Sequence, residues 1–166
     1  MIQIGDTIPD ATLTESTEFG EACPISPKPV NVKEAARGKR VVIFGLPGAY
    51  TPTCSAKHLP GYVEQLPALK QHGVDEIWCV AVNDGYVMAA WGRDHGAIGK
   101  VRMLGDGNAE LAKKLGLDED KTKSWMGVRC KRFSLLVEDG VVKRVNVEQP
   151  GKFEVSDAGT MLAQLG

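Results

Sequence analysis

An α/β fold, with a central mixed β-sheet flanked by helices on both faces, is expected from three features of the sequence. Arg40-Val41-Val42-Ile43-Phe44-Gly45-Leu46 and Glu76-Ile77-Trp78-Cys79-Val80-Ala81-Val82 are short, β-branched apolar runs, the pattern of strands buried on both sides. Helical stretches alternate with these runs, which favours parallel strands joined by crossovers. Near the end of the chain, two further strand-like runs flank Asp139-Gly140, a strong signal for a two-residue hairpin turn. At 166 residues, with no repeats or linkers, the chain reads as one domain over 1–166 with room for a sizeable core.

Each element follows from local chemistry. Pro9, Gly20, Pro24, Pro27 and Pro29 break the opening segment into short strands and loops, with a hairpin expected around Ala11 to Phe19. Val32 to Ala36 suits one helical turn, followed by the first central strand from Arg40 to Leu46. The loop Pro47-Gly48-Ala49-Tyr50-Thr51-Pro52-Thr53 then leads into a helix from near Cys54 to His72, with Thr51 or Thr53 as N-cap. Pro60 and Pro67 should kink or split that helix, because proline cannot donate the i→i−4 bond. A strand over 76–82, a helix from Tyr86 to His95 and a strand from Val101 to Leu104 come next. A helix from Ala109 to Leu115 is closed by Gly116. The hairpin pairs Arg132–Val137 with Val141–Val147, and Ala158–Leu165 forms the last helix. That order suits the thioredoxin architecture.

Composition removes several function classes. Lys+Arg at 20 nearly cancels Asp+Glu at 21, so no excess positive charge draws the chain to nucleic acid or an anionic membrane. Met1-Ile2-Gln3-Ile4-Gly5-Asp6 lacks the features of a signal peptide, and runs such as 41–46 are far too short to span a bilayer, so a cytoplasmic protein is expected. Cysteines 23, 54, 79 and 130 form no C-x-x-C and no histidine pairing at zinc-ligand spacing. Each is expected to be a free thiol, as in a reducing compartment.

Cys54 stands apart from the other three. A thiol reacts as its thiolate, and only a few per cent of an unperturbed thiol is ionised at neutral pH. Cys54 is expected in the first turn of a helix, where unpaired N–H groups favour an anion, directly after a central strand. Thr51, three residues earlier, can turn its hydroxyl toward the sulfur or an incoming oxygen; Gly48 lets backbone approach a small ligand. Pro47 and Pro52 stiffen the loop. The plain alternative is a capped helix with a buried cysteine.

The stretch from Pro47 to Ser55 contains P-x-x-x-T-x-x-C, the motif of peroxiredoxins. With His58-Leu59-Pro60-Gly61-Tyr62, Val82-Asn83-Asp84, Trp91-Gly92-Arg93 and 131–140 following in order, the chain resembles the type II, peroxiredoxin-five-like subgroup along nearly its whole length. The resemblance implies a thiol peroxidase for hydrogen peroxide and organic hydroperoxides, without a cofactor but with an external thiol reductant. It implies that Cys54 attacks the peroxide and becomes a sulfenic acid. Thr51 would hold peroxide and thiolate together, and Pro47 would shield the sulfenate. Arg132 would stabilise the thiolate and the departing oxygen, with Arg129 as a nearby rival. Tyr50 departs from the usual phenylalanine, and its hydroxyl is expected to modify an aromatic wall only slightly.

Recycling the sulfenic acid requires a second thiol. Residues 151–156, where some relatives carry a resolving cysteine, contain none. Cys79 is a candidate for that role, although its place in a buried strand favours a packed core thiol. Cys23 lies in a proline-rich loop, and Cys130 stands between Arg129 and Lys131, which would activate it modestly. A one-cysteine cycle is therefore expected, with glutathione and glutaredoxin, or thioredoxin, as reductant, in a homodimer. His58, four residues after Cys54, reads as a helix anchor or pocket wall rather than a hydrolase base. Trp91 and Trp125 are candidates for core or interface. The competing readings are a thiol–disulfide oxidoreductase, disfavoured by the missing C-x-x-C, a redox sensor that relays peroxide oxidation to partner proteins, and a holdase-like oligomer.

Overall fold

The computed structural model describes residues 1–165. Its centre is β5 (Arg40–Gly45) and β6 (Glu76–Ala81), each almost wholly buried. β5, β6 and β7 (Arg102–Gly105) run parallel. β10 (Phe133–Glu138) pairs antiparallel with β5, and β11 (Val141–Val147) with β10. β1 (Thr12–Glu15) and β4 (Lys28–Asn31) complete the far edge, giving the order β11-β10-β5-β6-β7-β1-β4.

Alternation along the central strands builds two cores. Val41 and Ile43 face one side with Trp78 and Val80, beneath α1 (Val32–Ala36) and α5 (Glu110–Leu115). Val42 and Phe44 face the other with Ile77, Cys79 and Ala81. That second face is covered by α2 (Leu59–Glu64), α3 (Leu66–Gln71), α4 (Gly85–Asp94) and α6 (Ala158–Leu165). Burying a side chain such as Phe44 contributes about 1.5–3 kcal/mol. Phe44 also stacks on Tyr62 of α2 at 4.1 Å, which seats that helix over the end of β5. Gly45 opposes Phe133, whose ring atoms would lie 2.1 Å from any added Cβ.

The expected hairpin around Ala11 to Phe19 is not formed. β1 pairs with β4, in the register Thr12↔Asn31, while β2 (Glu18–Phe19) and β3 (Pro24–Ile25) make a separate short arm. The Ser16 hydroxyl, donating to the Ile25 carbonyl at 2.6 Å, turns the chain into that arm. Pro29 needs no ladder donor on the outside of the edge strand β4. A second arm, β8 (Asp118–Asp120) with β9 (Val128–Cys130), was not foreseen, because Asp-Glu-Asp carries no strand propensity.

The helix expected from Cys54 to His72 is split, as its prolines require. A π-turn spans Cys54–His58, and α2 and α3 start with Pro60 and Pro67 in their first turns. Pro60 has no N–H for the carbonyl four residues back. The turn before it is widened, with Leu59 N–H donating to the Cys54 carbonyl five residues back. Asn31 and Asp84 cap α1 and α4, and Asp139 and Gly140 take the positive φ of the hairpin turn.

Candidate active site

Cys54 lies just beyond the carboxyl end of β5, at 0% exposure. The loop before it is tied down at every step. Pro47 O accepts from Arg129 Nη1 at 3.2 Å, Ala49 N–H donates to Asn83 Oδ1 at 3.0 Å, and Thr51 Oγ1 donates to Gly48 O at 2.7 Å. Ser55 N–H donates to Thr51 O at 2.9 Å, so Thr51 stands at the N-cap through its backbone and keeps its hydroxyl lone pairs free. Gly48 leaves room for Arg129: an added Cβ would lie 2.7 Å from its Nη1 and push that side chain aside.

The sulfur has one strong donor. Arg132 precedes β10, and the register Phe133↔Gly45 brings it beside the loop that follows β5. Its Nη2 donates to Cys54 Sγ at 3.1 Å, and its Nη1 meets His58 Nδ1 at 3.0 Å. His58 Nε2 in turn meets Ser156 O at 3.1 Å. The guanidinium can only donate and the carbonyl can only accept, so the ring is neutral with its proton on Nε2. Burial first, and the Arg132 charge second, push the His58 pKa down to about 3. The Phe153 ring centre lies 5.8 Å from the Arg132 guanidinium carbon and 5.0 Å from His58, shielding that pair on one side.

The Redoxin family model matches residues 3–162. Peroxiredoxin-2B of Arabidopsis thaliana is 43% identical over 99% of this chain and 98% of its own length. The chain belongs to the peroxiredoxin family. Reduced Prx3 of Vibrio vulnificus in complex with hydrogen peroxide superposes with a TM-score of 0.92 at 44% identity, over the whole of both chains. A Burkholderia cenocepacia protein, whose description suggests a thioredoxin reductase, is 54% identical with a TM-score of 0.95, covering 100% of this chain and 99% of its own. This peroxiredoxin has no C-x-x-C dithiol, and its activity is that of a thiol-dependent peroxidase.

The remaining cysteines of this peroxiredoxin occupy different settings. Cys79 opposes Phe44 in the ladder and shares the second core with Cys54. Burial first, then the neighbouring sulfurs, push its thiol well up. Cys130 lies in the opposite core, where burial pushes its thiol up to about 12, and its Sγ donates to Leu46 O at 3.0 Å. The modest activation expected from Arg129 and Lys131 is therefore not found: Arg129 is engaged with the Met126 and Pro47 carbonyls instead. Cys23 is exposed, in the turn between β2 and β3.

One aromatic expectation changes, and another resolves. Tyr50 is no wall of the site: it is 54% exposed, and its hydroxyl donates to Asp94 at 2.7 Å. Burial and that carboxylate push its pKa up to about 12. Trp91 is core, with its ring N–H on Ser55, whereas Trp125 is 94% exposed. A cleft of about 500 Å³ opens beside Pro47, Thr53 and Arg132, with Lys131, Lys152 and Phe153 on its walls. His58 was legible as a same-face neighbour of Cys54, but its link to Arg132 joins residues 74 apart in sequence. Asn83, Ser156 and Glu148 gave no sequence signal of their contacts.

Proposed function

We propose that Cys54 is the peroxidatic cysteine and Arg132 its activating cation. The observation that carries this is the Arg132 Nη2 bond to the buried Cys54 sulfur at 3.1 Å. The sulfur attacks the terminal peroxide oxygen as the O–O bond breaks. Cys54 becomes a sulfenic acid, and the alcohol or water leaves with one proton. A donor fixed at the sulfur, where charge moves onto the leaving oxygen, lowers the barrier without reorganisation. Thr51, with its hydroxyl anchored beside Gly48, orients the peroxide; the Gly48 backbone borders it and Pro47 limits water.

Recycling consumes two thiol equivalents: the first displaces water from the sulfenate to form a mixed disulfide, and the second releases Cys54. Glutathione with glutaredoxin, or thioredoxin, supplies them directly, and Cys79 packs as a core thiol rather than resolving Cys54. Its burial and raised pKa support that assignment. We further propose one catalytic domain, in a cytoplasmic homodimer. Four free thiols suit a reducing compartment. Exposed Tyr50 in the loop before Cys54, Tyr86 at the start of α4, Trp125 between β8 and β9, and Val128 at the start of β9 suit a second copy of the chain.

Turnover of hydrogen peroxide with each reductant, in wild type and Cys79→Ser, tests this reading. Turnover retained in Cys79→Ser supports the one-cysteine cycle, and its complete loss with Cys54 intact overturns it.

A further inference from the structure

Residues 148–157 carry no helix or strand, so side chains must set the shape of this loop. Glu148 does so almost alone. Its Oε2 accepts from the N–H groups of Glu154, Val155 and Ser156 at 2.9, 2.8 and 2.8 Å, and from the Ser156 hydroxyl at 2.7 Å. Its Oε1 also accepts from Glu154 N–H at 2.9 Å. Burial raises the Glu148 pKa, but these donors outweigh it and hold the carboxyl below its ordinary range. At 7% exposure, the carboxylate answers donors that water reaches poorly.

What the loop then presents is the Ser156 carbonyl. It accepts from Tyr62 Oη at 2.9 Å and from His58 Nε2 at 3.1 Å. Fixing the proton on Nε2 leaves the Nδ1 lone pair for Arg132 Nη1. The ring of contacts closes on itself, because Glu148 N–H donates to the Arg132 carbonyl at 3.0 Å. Arg132 is thus tied to Glu148 twice, its carbonyl to the Glu148 backbone N–H and its guanidinium, through His58 and Ser156, to the Glu148 carboxylate.

The geometry points to Glu148 as a positioning residue for the peroxidase reaction, which acts through Ser156 and His58 to aim the Arg132 guanidinium at Cys54. Without the carboxylate, three N–H groups lose their acceptor, the Ser156 carbonyl shifts and His58 is free to change tautomer. Arg132 then loses the acceptor that fixes its second nitrogen. Glu148 itself makes no bond to the sulfur.

This role rests on Arg132 acting on Cys54, which Arg132→Ala tests by itself. The experiment is a double-mutant cycle on the rate of Cys54 oxidation by hydrogen peroxide. Glu148→Ala should slow the reaction by about ten- to a hundredfold, the scale of a misplacement near 1 Å. In the Arg132→Ala background the same change should add less than about twofold, since the partner is gone. Glu148→Gln keeps the side chain's size where the alanine variant does not fold. The ¹⁵N signals of His58 should then move from one tautomer in wild type to an average of two in the glutamine variant. Wild-type rates in the Glu148 variants, equal losses in both backgrounds, or an unchanged tautomer in a slowed Glu148→Gln protein would each overturn the role.

Discussion

Cys54 and Cys130 are both sealed from solvent, on opposite faces of the same sheet, and their hydrogen bonds differ in sense. Cys130 donates to the Leu46 carbonyl, a bond that needs the proton on sulfur. Cys54 accepts from a guanidinium, a bond that is stronger when the proton has left. Burial by itself penalises a thiolate, and it is the burial that pushes Cys130 up. On the proposed reading, the partner's polarity, not seclusion, separates the reacting sulfur of Cys54 from the packing one of Cys130.

The largest effect that this contrast predicts is in turnover. Cys54→Ser should abolish peroxide reduction, whereas Cys130→Ser should keep the wild-type rate; a steady-state assay with excess thiol reads both. Next comes the donor. Arg132→Ala should retain the fold and lose about 2.7–4 kcal/mol of transition-state stabilisation, roughly a hundred- to a thousandfold in rate. Circular dichroism beside the rate separates the two effects.

A smaller effect concerns acid stability. His58 takes up its proton near pH 6.5 in the unfolded chain but only near 3 in the fold. Between those values the unfolded state binds more protons, so this contribution to stability is full above 6.5 and is lost as pH falls toward 3. Urea midpoints at pH 8 and 5 should reveal about 2 kcal/mol of such loss in wild type, at roughly 1.4 kcal/mol per pH unit once below 6.5. His58→Gln should flatten that slope. An unchanged slope would mean that the ring is protonated in the fold and that its link to Arg132 is different.

The same contrast marks what a sequence reveals. The central strands, the proline-split helix and the Asp139-Gly140 turn were legible because each is written in local residue types. The pairing of β1 with β4 was not, since it skips the β2–β3 arm between them, and neither was the β8–β9 arm, since Asp-Glu-Asp carries no strand propensity. Cys54 was singled out by its place after β5. The sense of the Cys130 bond was not visible, because Leu46 lies 84 residues away, and neighbouring Arg129 and Lys131 pointed to activation. The Glu148 clasp on 154–156 is equally silent, as most of its bonds go to backbone N–H groups.

Trapping sulfenic acid after one equivalent of hydrogen peroxide, and locating it by mass spectrometry, confronts the sulfurs directly. With Arg132 present the label should fall on Cys54 within the first turnover and spare Cys79 and Cys130; with Arg132→Ala its appearance on Cys54 should slow by about a hundredfold or more. Comparable labelling of Cys130, or undiminished labelling of Cys54 without the guanidinium, would contradict the view that bond polarity selects the reacting sulfur.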